Sequence, residues 1–235
     1  MSRPFFIAAS SRKGTHLIET ALARRPDVQV HGQVFSFPDF HPACNSAELA
    51  SLLFDQYQDV AIVSGAWRAG IDRYPEIWDE MRARRVGVIH LHRRNMLRWY
   101  VSLRIAETTN NWISVVPPTD STIRVLVDLV DFQNAIEVDR DYERQIDEWF
   151  TDSHVLHIWY EDMAADFAAH IKRVQWFLGL RPVPLTPGCY KQQRLPLSEV
   201  ISNYAELATA WAGTPWETFL RDDPCSCVLP LEDAK

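Results

Sequence analysis

The chain of 235 residues is 47% hydrophobic and carries 31 Asp and Glu against 24 Lys and Arg, a net charge of −7. That length buries one sizeable core, so a single α/β domain over residues 1–235 is expected, and the acidic balance argues against a general nucleic-acid or anionic-membrane binder. Any anion this protein holds must therefore be held by a local cluster of cations.

No apolar run approaches the ~18 residues of a membrane span, and no secretory signal core is evident, which predicts a soluble, cytoplasmic protein without a transmembrane segment. Cys225-Ser226-Cys227 is too tight and isolated for a tetrahedral zinc site, so Cys44, Cys189, Cys225 and Cys227 are expected as reduced thiols.

In chain order, the apolar run Phe5 to Ala9 reads as a buried strand that empties into Ser10-Ser11-Arg12-Lys13-Gly14-Thr15-His16-Leu17. Gly14 permits a tight turn, Thr15 offers a hydroxyl, and the helix start supplies N–H groups with partial positive charge. Arg12 and Lys13 add full charges, so the segment suits an anion, although Thr15 as a plain cap beside solvated cations is the alternative. A helix is predicted from Gly14 to Arg25, stopped by Pro26-Asp27.

Strands at Val28 to Phe35, Val60 to Ser64, Val86 to Leu91 and Val155 to Trp159 alternate with helices at Glu48 to Gln58, Pro75 to Arg84, Asn95 to Glu107 and Met163 to Leu178. This alternation predicts a parallel sheet covered on both faces, with ligands at the carboxyl ends of its strands.

A second cationic junction follows Leu91: His92-Arg93-Arg94 leads into a helix for which Asn95 is the N-cap. Arg94 at the strand end and Ser102 two turns into the helix can grip one phosphate from two sides; an ordinary surface arginine cluster is the alternative. Two such junctions in one sheet suit a ligand with two separated phosphates. Of nine tryptophans, Trp67 and Trp112 lie nearest element ends and are the site candidates. Pro117-Pro118 marks a loop, and the acidic stretch from about Ser121 to Phe150 reads as one or two solvated helices or, alternatively, a lid over the substrate (an insertion over about residues 115–150).

These blocks resemble the sulfotransferases that use 3'-phosphoadenosine 5'-phosphosulfate (PAPS), in particular the bacterial carbohydrate-type group with the Nod-factor and lipopolysaccharide sulfotransferases. Ser11 to Leu17 looks like the 5'-phosphosulfate loop, and Arg94 with Ser102 has the spacing of the 3'-phosphate motif. Tyr160-Glu161-Asp162-Met163, followed by Phe177-Leu178-Gly179-Leu180, is similar to the nucleotide-side block, and Lys191 to Tyr204 to the C-terminal segment.

The resemblance covers more than half of the chain and implies a single domain related to P-loop kinases, with PAPS as co-substrate and a hydroxyl of a glycan, glycolipid or related small molecule as acceptor. It implies that Arg12 contacts the phosphosulfate with the backbone of Gly14 and Thr15. Arg94 and Ser102 would bind the 3'-phosphate, Tyr160 would lie near the adenine, and Lys191 would be a further phosphate contact. Lys13 would add charge beside the sulfonate, and His16, at a helix start, would hydrogen-bond rather than transfer a proton. Sulfuryl transfer needs an in-line hydroxyl, cations for charge growing on the leaving phosphate, and a base. No metal-ligand cluster is evident, and the chemistry of the group does not require one.

Many members of the group place a glutamate, the proposed base, where this chain has Gln33 in His31-Gly32-Gln33. Glutamine takes no proton at working pH. His31 shares the strand face of Gln33 and is the nearest replacement base, with His41 and Asp39 as rivals. Arg68, after another strand, can reach the sulfonate or acceptor if it is not simply a loop arginine. Two other functions compete: a P-loop kinase using ATP, disfavoured because Gly14-Thr15 lacks the glycine and Lys-Ser/Thr spacing of that motif, and a nucleotide-binding module without catalysis, motivated by Gln33.

Overall fold

Every residue of Phe5-Phe6-Ile7-Ala8 is buried, as a strand covered on both faces requires. In the computed structural model, which describes residues 4–30, 45–55, 61–63, 65–66, 74–117 and 123–221, this run is β1 (Phe5–Ala8). Val28, read as the start of the next strand, opens β2 (Val28–Val30), which pairs in parallel with β3 (Ala61–Val63) and not with β1. β1 instead lies between β4 (Gly65–Ala66) and β5 (Gly87–His92), and β6 (Val155–Trp159) pairs with β5. All pairings between these described strands are parallel, and they form a four-stranded sheet of order β4-β1-β5-β6 beside a separate two-stranded pair.

The helices that cross between strands are α1 (Thr15–Leu22), α2 (Ser46–Ala50), which runs into a π turn at Ser51–Asp55, α3 (Ile77–Ala83) and α4 (Met96–Thr109). After these come α5 (Leu129–Trp149), α6 (Tyr160–Ala165), α7 (Phe167–Phe177), α8 (Leu197–Val200) and α9 (Tyr204–Trp211), then a 3-10 turn at Pro215–Leu220.

Side-chain alternation along the strands builds the two cores. Phe5, Ile7, Ile89, Leu91 and Ile158 pack against α1, α6 and α7 through Ile18, Leu22, Met163, Ile171 and Val174. Phe6, Ala8 and Val88 face the other way, onto α2, α3 and the C-terminal half of α5, through Leu49, Ile77, Trp78, Met81, Tyr142 and Ile146. Phe5 and Phe6 are fully buried on opposite faces, each contributing roughly 2–3 kcal/mol. A third cluster joins α4, the N-terminal half of α5, α8 and α9 around Leu97, Tyr100, Phe132, Ile136, Leu197 and Leu207.

Short polar side chains set the helix starts. Asn95 caps α4 by accepting from the Arg98 N–H at 2.9 Å, and Asp128 caps α5 by accepting from the Asp131 N–H at 3.0 Å. The helix expected over Met163 to Leu178 is two helices, because Asp166 leaves helical geometry and caps α7 through the Ala169 N–H at 2.9 Å. The acidic stretch is the single 21-residue helix α5. No helix among the described residues is long and apolar enough to cross a membrane.

Candidate active site

A pocket opens at the carboxyl ends of β1 and β5, between the β1–α1 loop, the β5–α4 junction, the start of α6 and residues 187–194. The β1–α1 loop turns on two left-handed residues, Arg12 at φ 68° and Gly14 at φ 95°. A Cβ on Gly14 would stand 2.9 Å from Tyr160 Cδ2 and 3.0 Å from Met163 Cε, so this position requires glycine for space as well as for conformation.

The loop is anchored on several sides. Ser10 Oγ donates to Asp139 of α5, and the buried Lys13 ammonium pairs with Asp139 at 2.8 Å and with Glu143. From α4, Trp99 Nε1 donates to the Ser11 carbonyl at 2.8 Å, and from the end of β5, Arg93 Nη1 donates to the Arg12 carbonyl at 3.0 Å.

Five Arg and Lys side chains line the pocket, namely Arg12, Arg93, Arg98, Lys191 and Arg194, and among the described residues no Asp or Glu does. In a chain of net charge −7 this is a concentrated local reversal of sign. Arg12 spans the middle: its Nε donates to Ser102 Oγ at 3.0 Å, its Nη2 to Gln192 Oε1 at 2.6 Å, and its Nη1 to the Trp112 carbonyl. Burial, aided by the nearby charge of Arg93, lowers its pKa to about 10, which leaves the guanidinium charged at neutral pH. The Arg93 guanidinium lies 4.5 Å over the Tyr160 ring, and Arg98 Nη1 donates to the Leu195 carbonyl at 2.8 Å. Burial pushes the Cys189 thiol up, so this pocket residue stays protonated and is no nucleophile near neutral pH.

The structure gathers Arg12, Gly14, Thr15, His16, Ser102, Tyr160 and Lys191 in one pocket, with Trp112 at its wall. His16 Nδ1 is engaged with Glu19 Oε2 at 2.8 Å.

Two expected contacts lie elsewhere. Lys13, placed by the sequence beside the sulfonate, points beneath the loop into the carboxylates of α5 and does not line the pocket. Arg94, expected to grip a phosphate with Ser102, is exposed and forks onto Asp162 at 2.6 and 2.7 Å. The reason is alternation at the end of an extended strand: Arg93 turns inward, so its neighbour Arg94 turns out.

The group beside Ser102 is Arg12, and the cations that this junction sends inward are Arg93 and Arg98, both visible in the sequence as part of the same basic run. Helix α5, a possible lid from its acidity, does not line the pocket; it braces the loop from below. The segment Tyr160 to Met163 serves both junctions. Tyr160 and Met163 wall Gly14, while Glu161 Oε1 accepts from the N–H groups of Arg94 and Asn95 at 2.9 and 3.1 Å. His31, Gln33, Asp39, His41, Trp67, Arg68, Cys44, Cys225 and Cys227 lie outside the described residues.

A second group of polar residues was not foreseen. His90, His92 and His157 come together on β5 and β6, a ligand-type cluster that is not evident as one in the sequence. The signal available was the alternation of His90 and His92 on a predicted strand.

No family model matches the chain. It is similar to nodulation protein H of Rhizobium tropici, 25% identical and covering 95% of each chain, and to nodulation protein H of Rhizobium meliloti, 24% identical over 92% of this chain and 94% of that one. Among solved structures it is similar to a sulfotransferase from Alicyclobacillus acidocaldarius, with a TM-score of 0.47, 16% identity and coverage of 94% of this chain and 95% of the other. It is also similar to the mouse sulfotransferase SULT7A1 complexed with PAP, with a TM-score of 0.48, 19% identity and coverage of 77% of this chain and 59% of that one.

Proposed function

We propose that this chain is a sulfotransferase that moves a sulfuryl group from PAPS to a hydroxyl of a glycan, glycolipid or related small acceptor. The observation that carries the reading is the pocket itself: five cations and no carboxylate among its described lining residues, set at two strand ends of a protein that is acidic overall. Likeness to nodulation protein H over nearly the whole chain supports it, as do the four sequence blocks that resemble, in order, those of the bacterial carbohydrate-type sulfotransferases.

The two phosphates of PAPS hang from one ribose, so their cradles must lie side by side. The 3.0 Å contact between Arg12, in the β1–α1 loop, and Ser102, on α4 of the second junction, is consistent with that. In this reading the N–H groups of Gly14 and Thr15 and the Arg12 guanidinium hold the 5' side. Arg12 then faces the oxygen on which negative charge grows as the S–O bond to the 5'-phosphate breaks. Ser102, Arg93, Arg98 and Lys191 hold the 3'-phosphate, and Tyr160 borders the base. The acceptor oxygen attacks sulfur in line, its proton passes to a base for which His31 is proposed, and the leaving group is adenosine 3',5'-bisphosphate with its 5'-phosphate restored.

Calorimetric titration with adenosine 3',5'-bisphosphate is expected to give micromolar or tighter binding, weakened about tenfold or more in Arg12→Ala, with ATP bound far more weakly. Labelled PAPS should then transfer its sulfuryl group to a member of a glycan and glycolipid panel, and His31→Ala should abolish that turnover while leaving bisphosphate binding in place. Equal binding of ATP would favour the kinase reading. Tight bisphosphate binding with no product on any acceptor would favour a binding module.

A further inference from the structure

We propose that His90, His92 and His157 form a binding site for one divalent transition-metal ion of the Zn2+ class, separate from the nucleotide pocket. His90 and His92 stand two residues apart on β5 and so share a face, and the parallel register sets His157 of β6 directly beside His90. One ring nitrogen from each of the three lies within 4.8 Å of those of the others. A tetrahedral shell with bonds of ~2.1 Å puts its ligand nitrogens about 3.4 Å apart. That spacing falls between the 2.9 Å hydrogen bond joining His92 Nε2 to His157 Nδ1 and the 4.8 Å that bounds the set.

The surroundings fix which nitrogens are offered. Asp147 Oδ1 of α5 holds His90 Nδ1 at 2.9 Å, and Glu143 Oε1, one helical turn earlier, holds His92 Nδ1 at 3.1 Å. A carboxylate on one ring nitrogen orients the imidazole and leaves the other nitrogen as the basic one, the arrangement that surrounds histidine metal ligands.

His90 Nε2 is buried and has no hydrogen-bond partner among the described residues. An orphaned buried nitrogen is costly, and a metal bond satisfies it.

The local charge also favours a cation. Glu143 and Asp147 face the group from α5, and the nearby Lys13 ammonium is itself paired with Glu143 and Asp139. His90 and His92 are buried while His157 is exposed, which gives an ion an entry path and leaves room for water as a fourth ligand. Three imidazole ligands suit Zn2+ and its neighbours in the transition series rather than Mg2+ or Ca2+. Binding replaces the His92–His157 hydrogen bond, and the proton on His157 Nδ1 moves to Nε2 on the solvent side.

The test is titration of Co2+ into the full chain after chelator treatment, read by visible absorption. The expected result is uptake of one Co2+ per chain at micromolar concentration, with the intense bands of tetrahedral cobalt, no thiolate charge-transfer band in the near ultraviolet, and displacement by Zn2+. His157→Ala, at an exposed edge position, should weaken binding about tenfold or more with unchanged helical circular dichroism, and His157→Gln should do the same if the alanine variant folds poorly. Absence of uptake, a thiolate band that assigns the ion to cysteine, or affinity unchanged in the His157 variants would overturn the proposal.

Discussion

At Gly14 two constraints coincide: a left-handed backbone and a wall formed by Tyr160 and Met163 within 3.0 Å of where a Cβ would stand. Gly14→Ala is therefore expected to lower stability by roughly 1–2 kcal/mol for the conformation alone, and by more if Tyr160 cannot yield. Because the same ring lies under Arg93, the variant should also weaken bisphosphate binding, a paired loss that urea unfolding and calorimetry would measure. Unchanged stability in Gly14→Ala would mean that the loop is not held as described. The need for glycine was legible in the sequence, since a cationic loop between a strand and a helix calls for one. The roles of neighbouring cations were not legible. Composition cannot tell Arg93 from Arg94, or show that Lys13 points down into Asp139 and Glu143, because those directions depend on the strand end and on a helix more than a hundred residues away.

Helix α5 is where element type was easy to read and purpose was not. Its periodicity and acidity mark a helix, but its carboxylates look solvated until the fold sets Asp139, Glu143 and Asp147 against Lys13, His92 and His90. Lys13→Met leaves the buried Asp139 carboxylate without its ammonium and is expected to cost about 3 kcal/mol, read as a lowered urea midpoint.

The pH response follows from Glu143. Burial alone would raise its pKa, but hydrogen bonds from His92 and Lys13 and the Lys13 charge hold it at about 2 against an ordinary 4.5. A carboxyl depressed in the folded state adds stability that is fully present above about 4.5 and is lost as pH falls toward 2. Acid unfolding of Glu143→Gln should therefore show a shallower dependence between those limits than the unaltered protein, and equal slopes would contradict the assignment. The division of α6 from α7 was readable in principle, since Asp166 is a strong N-cap type. The apolar run across it hid the break.

Over the whole molecule, the alternation of strands and helices was enough to give a parallel α/β architecture. It could not give the strand order, because β2 follows β1 in sequence yet pairs with β3, a choice made by packing at long range. Charge is partitioned on the same scale, with an acidic body and a cationic pocket. A small bisphosphate nucleotide should therefore bind, while duplex DNA and heparin should not be retained at physiological ionic strength, because they meet the body before the pocket. A column or gel-shift experiment that retained either polymer would refute this partition.

The sheet order has one more consequence, for local opening. β1 and β5, which carry the pocket's loops, are the interior strands of the four, each paired on both sides, whereas β4 and β6 flank them with one partner apiece in that sheet. Fraying of either outer strand leaves the interior pair joined, so the backbone amides of β1 and β5 exchange with solvent only when the sheet as a whole comes apart. The cationic pocket is thus mounted on the part of the protein that opens last, and the histidines that join β5 to β6 sit on the seam that opens before it.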